Sequence, residues 1–431
     1  MLMTRSHSTM LVRHSSWLDS FLSQLLLGLI VAVLLPFFYF SGDDRYSATS
    51  ASVLNSLYSS VFAFSAGLIM LRRMSNFPGT GYFAFIIPSF TAAYALVVTT
   101  LFALRLDYSG TYLTTSFVAS LIVGFLASLW VASFSRPSFF LVPSPRTLAL
   151  AKTLDADLVP LVAPELPIGR RSAIIADLRH EHADEWERFI ARAAIHGYPV
   201  YHWKLLTESL TGRVNIEHLS ENSFGSLLPN LAYLRAKRVI DIAASLLILP
   251  FLVPPLLIVA LMIKLDSPGP VLFLQQRVGF RGNVFWMVKF RTMRHQSARV
   301  DGAEAVNDVM TKSGDERVTK IGRFLRKSRI DELPQIWNIL LGQMSWIGPR
   351  PEAVPLSLWY EREIPFYSYR HIVRPGITGW AQINQGHVTD IDSVGEKLMY
   401  DFYYIKHFSA WIDILIALRT SVIMITGFGS K

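Results

Sequence analysis

The first third of the chain contains four long apolar stretches, at residues 21–40, 53–71, 82–104 and 113–134. Each is close to the ~20 residues that a helix needs to cross a bilayer. We find no ionisable residue inside them, which favours an anchor or an oligomerisation unit over an ion path. The first stretch is long for a signal-peptide core and has no convincing cleavage site, so we expect it to be retained.

Charged residues in the short loops predict how these spans are oriented. Arg72 and Arg73 lie in the second loop, whereas the first and third loops carry no net positive charge. Cytoplasmic loops are the ones enriched in Lys and Arg. We therefore expect the N-terminus, the second loop and everything after the fourth span to lie in the cytoplasm.

From residue 137 to 229 the pattern is that of a soluble protein. Short apolar runs, typical of buried strands, flank an amphipathic helix that ends near Gly197. The pattern predicts a small α/β domain. It contains neither a G-x-G-x-x-G motif nor a P-loop, so we interpret it as a structural or regulatory spacer.

Residues 239–263 form a fifth apolar stretch, interrupted near its middle by three prolines. The prolines are Pro250, Pro254 and Pro255. Proline removes a helix donor and clashes with the preceding turn, so we expect a sharp bend. Because Lys and Arg flank both ends, we expect both ends on the cytoplasmic face, which makes the segment re-entrant. A kinked full span is the alternative.

After Lys264 the chain predicts a β-hairpin that turns at residues 279–282. On its second strand, Lys289 and Arg291 share one face by the period of two, about 6.6 Å apart. Such a spacing suits a diphosphate. A solvated strand edge carrying charge is the alternative.

The sequence SRIDELPQ places the adjacent carboxylates of Asp331 and Glu332 at the predicted start of a helix. Acidic residues are common there because they face the positive end of the helix dipole. The same helix start attracts phosphate. Several cations lie upstream, and Arg350 follows the helix. The pair is therefore either a helix cap or the reactive centre of an enzyme.

The composition agrees with a membrane protein, since 51% of the 431 residues are hydrophobic and only 17% are charged. The formal net charge of +9 suggests anionic partners, and we expect anionic membrane lipid. No nucleic-acid-binding motif accompanies the charge, so nucleic acid is not expected. The chain has no cysteine, which excludes disulfides and thiolate metal sites.

Several rare motifs, in order between residues 235 and 431, carry a family resemblance. They are KRVIDIAASLL, SPGPVLFLQQRVGFRG, KFRTM, DERVTKIGRFLRKSRIDELPQIWNILLGQMSWIGPRP and VRPGITGWAQIN. These stretches resemble the bacterial sugar transferase family, the polyprenol-phosphate phosphoglycosyl transferases that initiate surface-polysaccharide assembly. With four spans ahead of it, the chain resembles the polytopic members, which load glucose-1-phosphate or galactose-1-phosphate onto undecaprenyl phosphate.

The resemblance implies roles for individual residues. Asp331 matches the nucleophile that attacks the UDP-sugar, forms a phosphosugar-aspartyl intermediate and releases UMP. Glu332 matches the neighbouring acid associated with Mg²⁺. Phosphate contact is expected of five cations. They are Lys289, Arg326, Arg350, Arg277 and Arg291.

The resemblance also assigns the membrane break to Pro254, with Pro255 stiffening it, although Val253 stands where family members often have serine. An ion pair between Asp315 and Arg317 is expected as well. We expect the apolar stretch 411–428 to lie in the interface or to pack on the protein, because Asp413 and Arg419 would be costly in a bilayer; a fifth span is the alternative.

The predicted fold is a bundle of four membrane helices (1–136), a small α/β domain (137–229) and a mixed α/β catalytic domain (230–431) with the re-entrant helix. We expect a multi-pass protein of the bacterial inner membrane whose catalytic domain faces the cytoplasm. The oligomeric state is left open, a homo-oligomer included. Two other hypotheses stand beside this one: a conventional lipid-acceptor glycosyltransferase that releases UDP, and a catalytically silent scaffold of a polysaccharide assembly complex.

Overall fold

The computed structural model describes ten ranges of the chain, which divides into two compact units, Met1–Gly212 and Arg213–Lys431. The ranges are 20–41, 50–75, 77–78, 82–134, 138–154, 156–167, 172–216, 229–294, 317–385 and 390–426. The first unit contains both the predicted spans and a small α/β fold. The division into three domains stays a prediction.

The first unit begins with helices that match the four apolar stretches. They are α1 (Phe21–Leu29), continued through a π-helical turn into α2 (Leu35–Ser41), then α3 (Ala51–Met74), α4 (Ile86–Ala103) and α5 (Gly110–Phe134). Each apolar segment is long enough to cross a membrane by length and composition. Gly67 lets α3 approach α4 closely, since a Cβ there would come within 2.5 Å of the Phe90 ring.

The rest of the first unit is a four-stranded parallel sheet with helices on both faces. The strands are β1 (Ser138–Leu141), β2 (Leu158–Pro160), β3 (Ser172–Ala176) and β4 (Val200–His202), in the order β2-β1-β3-β4. The helices are α6 (Pro145–Thr153), α7 (Asp184–Ile195) and α8 (Trp203–Thr211). All five residues of β3 are buried, as expected for a parallel strand covered on both faces. The strand–helix–strand pattern predicted from the sequence is therefore present.

The second unit begins with α9 (Leu231–Asp266), a helix of 36 residues. The helix continues without interruption through all three prolines, so no gap in the helix marks the predicted break. The helix is also long and apolar enough to cross a membrane. The re-entrant path stays a prediction.

Behind α9 lies a mixed α/β fold. Its strands are the antiparallel hairpin β5 (Leu272–Val278) and β6 (Val284–Phe290) and the parallel pair β7 (Ser345–Ile347) and β8 (Gly376–Thr378). Its helices are α10 (Lys320–Ser328), α11 (Ile336–Leu340), α12 (Val354–Glu363), α13 (Trp380–Asn384), α14 (Ile391–Lys406) and α15 (Ala410–Thr426). The hairpin turns where the sequence predicts it, with Gly282 at a φ of 75°.

Both ends of α9 are fastened to this fold. Near its start, Arg238 donates to the carbonyl oxygens of Ile339 (2.5 Å) and Leu340 (2.9 Å). Near its end, Ile263 belongs to a buried cluster with Phe290 and Leu325. The helix is thus attached at two places, on either side of its prolines.

The C-terminal helix α15 packs on the same fold. Ile412, Leu415 and Ile416 are fully buried, and Asp413 is buried beside Lys237 of α9, with 2.6 Å between Oδ2 and Nζ. The sequence predicts an interfacial or packed helix here rather than a fifth span, and these contacts are those of a packed helix.

Candidate active site

Asp331 and Glu332 lie on a 3₁₀ turn, Ile330–Gln335, that joins α10 to the short helix α11. A helical segment therefore begins where the sequence predicts one, but its first turn is 3₁₀ and contains Pro334. Arg329 precedes the turn in the left-handed conformation, with φ at 55°. Since an L-residue rarely adopts this conformation, the entry to the turn is strained.

Glu332 is buried, and its two carboxylate oxygens have different surroundings. Oε1 accepts a hydrogen bond of 2.8 Å from Nη2 of Arg350. Oε2 is buried and has no hydrogen-bond partner among the residues that the structure describes. Burial works to raise the pKa of Glu332, but the charge and hydrogen bond of Arg350, together with the charges of Arg329 and Lys289, outweigh it and lower that pKa. Glu332 is therefore an ionised carboxylate with one unused oxygen.

Asp331 is partly buried, and its pKa is shifted in the direction opposite to that of Glu332. Burial, with the neighbouring charge of Glu332, raises the pKa of Asp331 to about 6. The cations of Lys289, Arg350 and Arg326 act against this rise. The side chain is thus ionised above pH 6, and its charge is balanced by cations from three different parts of the chain.

Lys289, near the end of β6, reaches the site beside the ring of Phe273, with its Nζ 5.0 Å from the ring centroid. Burial, and the nearby charges of Arg277 and Arg350, lower the pKa of Lys289 to about 8, while Asp331 opposes the change. The ammonium group is therefore held among other cations, which favours an anionic ligand in their midst.

Arg326 and Arg277 approach the site from α10 and β5. Arg326 donates from Nε to Oγ1 of Thr292 at 2.9 Å. Arg277 donates from Nη1 to the carbonyl oxygen of Pro351 at 2.9 Å, beside Arg350. Burial lowers the pKa of Arg277 to about 10. The two guanidinium groups extend the cationic surroundings of the carboxylate pair.

Arg291 does not join them. Its guanidinium donates to the carbonyl oxygens of Pro268 (2.9 Å) and Ser267 (2.7 Å), just past the end of α9. β6 ends at Phe290, so the alternation that predicted a shared face with Lys289 does not extend to this residue. These contacts are those of a residue that holds the end of α9, and no phosphate role is supported for it.

The structure thus brings together six of the predicted site residues. They are Asp331, Glu332, Lys289, Arg326, Arg350 and Arg277. Pro254 and Pro255 lie within α9, and Asp315 lies outside the described residues. Sequence reasoning missed Glu352, which directly follows the GPRP motif and contacts Arg277 at 3.9 Å.

A metal would have few protein ligands here. Among the described ranges, no group of three or more His, Asp or Glu side chains is placed to hold an ion. The donors available at the site are the carboxylates of Asp331 and Glu332. Such a donor set suits a cation that takes most of its ligands from substrate phosphates and water, as Mg²⁺ does.

Comparisons with known proteins agree with this placement of the motifs. A family model described as Bacterial sugar transferase matches residues 232–427. A UDP-N-acetylgalactosamine-undecaprenyl-phosphate N-acetylgalactosaminephosphotransferase of Aeromonas hydrophila is 43% identical over 97% of this chain and 99% of that protein. A UDP-glucose:undecaprenyl-phosphate glucose-1-phosphate transferase of Caulobacter vibrioides is 42% identical over 47% of this chain and 74% of that protein. The protein of the same name from Escherichia coli K12 is 42% identical over 45% of this chain and 40% of that protein.

Proposed function

Because this chain belongs to the bacterial sugar transferase family, we propose that it transfers a sugar 1-phosphate from a UDP-sugar to undecaprenyl phosphate and releases UMP. The observation that carries the proposal is the pair Asp331 and Glu332 among the cations of Lys289, Arg326 and Arg350. An ionised carboxylate can attack a diphosphate only where cations offset the repulsion between the two anions. The reaction would be an early membrane step of surface-glycan synthesis.

The first step begins with Asp331. One carboxylate oxygen attacks the phosphorus that carries the sugar, a bond forms between them, and the bond from that phosphorus to the bridging oxygen of UMP breaks. UMP leaves with the bonding electron pair. Lys289, Arg326 and Arg350 would neutralise the charge that gathers on the phosphoryl oxygens.

In the second step a phosphate oxygen of undecaprenyl phosphate attacks the same phosphorus. The bond to Asp331 breaks, its carboxylate is restored, and the lipid-linked diphosphate sugar is released. The one nucleophile thus splits a transfer between two anions into two displacements.

Mg²⁺ fits the residues present, because Oε2 of Glu332 is a buried anionic oxygen with no partner in the described part of the chain. Glu332 would hold the ion, which supplies charge neutralisation to the diphosphate when bound. Substituting Glu332→Gln should raise the Mg²⁺ concentration needed for half-maximal activity, and added chelator should abolish turnover. Full activity in chelator would contradict this role.

The similarity of the whole chain to the Aeromonas hydrophila enzyme favours N-acetylgalactosamine as the sugar. The glucose-1-phosphate transferases support only the catalytic part, since they match less than half of this chain. The sequence-based prediction of glucose or galactose remains the alternative. A panel of UDP-sugars with the purified enzyme tests it, and a higher kcat/KM for UDP-glucose would overturn the preference.

The contacts of α9 support a bend at its prolines. A straight helix would hold residues 238 and 263 about 38 Å apart. The residues that Arg238 and Ile263 contact, Ile339 and Phe290, are closer together than that. Asn338, next to Ile339, accepts a hydrogen bond from the amide of Val288 at 3.0 Å. Phe290, which packs with Ile263, is two strand residues further on, about 7 Å. With both ends of α9 on the same face of the membrane, the catalytic domain would lie at the cytoplasmic surface.

The absence of cysteine makes this topology testable. Arg235→Cys and Asp266→Cys would place single thiols at the two ends of α9, where both side chains are exposed. With a re-entrant helix, neither thiol should react with an impermeant maleimide added to intact cells, and both should react in inverted vesicles. Labelling of Asp266→Cys in intact cells would indicate a full span.

The reaction itself is tested by the nucleotide that is released. Purified enzyme with UDP-N-acetylgalactosamine and undecaprenyl phosphate should release UMP, and Asp331→Asn should abolish turnover. Asp392→Asn, an exposed carboxylate of α14, is the matched control and should retain activity. Release of UDP would favour a conventional glycosyltransferase, and normal glycan synthesis by Asp331→Asn in cells would favour a scaffold.

A further inference from the structure

The segment from Arg350 to Glu352 is held by hydrogen bonds to every one of its carbonyl oxygens. Nη2 of Arg370 donates to the carbonyl of Arg350 at 2.9 Å, and Nη1 of Arg277 donates to that of Pro351 at 2.9 Å. The amide of Val278 donates to the carbonyl of Glu352 at 3.0 Å. The backbone beneath the Arg350 side chain is therefore fixed from two directions, by β5 and by the segment that carries Arg370.

The carboxylate of Glu352 lies within reach of three cations. Oε1 is 2.5 Å from Nζ of Lys397 and 3.8 Å from Arg370, and Oε2 is 3.9 Å from Arg277. Burial works to raise the pKa of Glu352, but these cations outweigh it and lower that pKa. The group is an anion that joins β5, α14 and the 3₁₀ turn Tyr367–Ile372.

Arg370 completes the arrangement from a buried position. Its guanidinium lies 2.8 Å from Oδ2 of Asp401 and donates to the hydroxyl of Tyr367 at 2.7 Å. Only 2% of each side chain of the Arg370–Asp401 pair is exposed. Buried ion pairs contribute little to net stability compared with well-packed apolar residues, so their presence calls for another explanation.

Arg350 supplies that explanation. Its side chain is 34% exposed, and its guanidinium group donates a hydrogen bond to Glu332. The position of the guanidinium group therefore depends on the position of the Arg350 backbone. A displacement of about 1 Å in a group that contacts the transition state can cost 10²-fold in rate.

We propose that Glu352, Arg370, Lys397 and Asp401 form a positioning cluster that sets the place of Arg350 in the active site. The proposal rests on the proposed function, in which Arg350 contacts the transferred phosphate. None of the four touches the reacting atoms in this role. They act through the backbone of residues 350–352 and through Arg277.

The experiment is a double-mutant cycle between the cluster and Arg350, measured as kcat/KM with UDP-N-acetylgalactosamine and undecaprenyl phosphate. Lys397→Met removes the 2.5 Å contact to Glu352 and keeps most of the side-chain volume. Arg350→Lys keeps the charge at the site but loses the guanidinium geometry. We expect each single variant to lose about 10- to 100-fold, and the double variant to lose scarcely more than Arg350→Lys alone.

Two further variants separate positioning from loss of stability. Lys397→Arg retains the cation and should restore most of the activity lost in Lys397→Met. Ile412→Val, a fully buried residue of α15, should lower the thermal midpoint while its effect on kcat/KM multiplies with that of Arg350→Lys. Arg370→Lys tests the hydrogen bond to the Arg350 carbonyl directly, and Lys397→Met carries the test if Arg370→Lys fails to fold.

Multiplicative losses in the Lys397→Met and Arg350→Lys cycle would overturn the proposal, because a purely structural cluster acts independently of Arg350. Wild-type kcat/KM in Lys397→Met would overturn it as well. Failure of the proposed function looks different: Asp331→Asn would then retain turnover or the wild type would release UDP, whatever the cycle shows.

Discussion

Asp413 offers the sharpest test of how helix α9 is attached to the α/β fold of the second unit. Its carboxylate accepts from the hydroxyls of Tyr233 (2.5 Å) and Tyr404 (2.8 Å) and pairs with Lys237 at 2.6 Å. The side chains of the ion pair are each only 9% exposed. Asp413→Ala would leave the buried Lys237 charge without its direct ion-pair partner, a change that costs about 4 kcal/mol in comparable sites.

The expected magnitudes differ among three variants. For a unit of this size, about 4 kcal/mol corresponds to a fall of roughly 10 °C in the thermal midpoint. Lys237→Met leaves Asp413 with two tyrosine donors and should cost about half as much. The pair Lys237→Met with Asp413→Leu removes both charges, and Tyr404 keeps a hydrogen bond to the Ile347 carbonyl at 3.2 Å. The double variant should therefore be no less stable than Asp413→Ala.

The assay is tryptophan fluorescence during heating of the purified protein in one detergent, with size-exclusion chromatography to confirm that each variant is monodisperse. Asp401 cannot serve as the control because it belongs to the positioning cluster. Asp392→Ala can serve as the control, because Asp392 is an exposed residue of α14. This variant should change the thermal midpoint by less than 2 °C. If Asp413→Ala stays within 2 °C of wild type, or if the single effects add in the double variant, the buried pair does not fasten α9.

Three further predictions concern the same unit. Burial lowers the pKa of His407 to about 4. As the pH falls from 7.5 to 5, the unfolded chain therefore binds a proton at this histidine before the folded chain does, and the free energy of unfolding falls by about 2 kcal/mol. His407→Gln should reduce the fall in the thermal midpoint between these two pH values, and an unchanged fall would contradict this. At Arg329, with φ at 55°, Gly should be tolerated and Val should lower the midpoint; equal midpoints would show no strain. Gly322→Ala would bring a Cβ within 2.0 Å of the Thr292 carbonyl oxygen and should lower the free energy of unfolding by about 2 kcal/mol. Gly395→Ala meets open space and should not lower it. Similar losses of stability in the two variants would contradict the close approach at Gly322.

Much of the candidate active site could be predicted because its residues lie in short motifs. Asp331 and Glu332 are neighbours in the sequence, and Arg326 lies on the preceding helix. Arg350, beyond the helix, was counted among the nearby cations, whereas Lys289 is more distant in sequence and its approach to the pair was expected only from the family resemblance. The hairpin and the amphipathic helices follow from local periodicity, which the fold retains.

Other features depend on tertiary contacts that periodicity does not report. The alternation of β6 ends one residue before Arg291, and only the end of α9 explains where that guanidinium goes. The prolines of α9 predict a break because each removes a helix donor and clashes with the preceding turn, yet the helix continues through them. The positioning cluster joins Arg370 to Asp401 and to residues of β5, a convergence that no local pattern signals.

The double attachment of α9 has a mechanical consequence. Because Arg238 and Ile263 both contact the α/β fold of the second unit, a re-entrant α9 as proposed would not tilt or slide on its own when the surrounding lipid changes thickness. In that proposed arrangement the protein would set the depth of Asp331 relative to the lipid phosphates, and the bilayer would deform to match it. Turnover in vesicles should therefore pass through an optimum as acyl-chain length is varied, while kcat with a short-chain, water-soluble acceptor should depend on it far less.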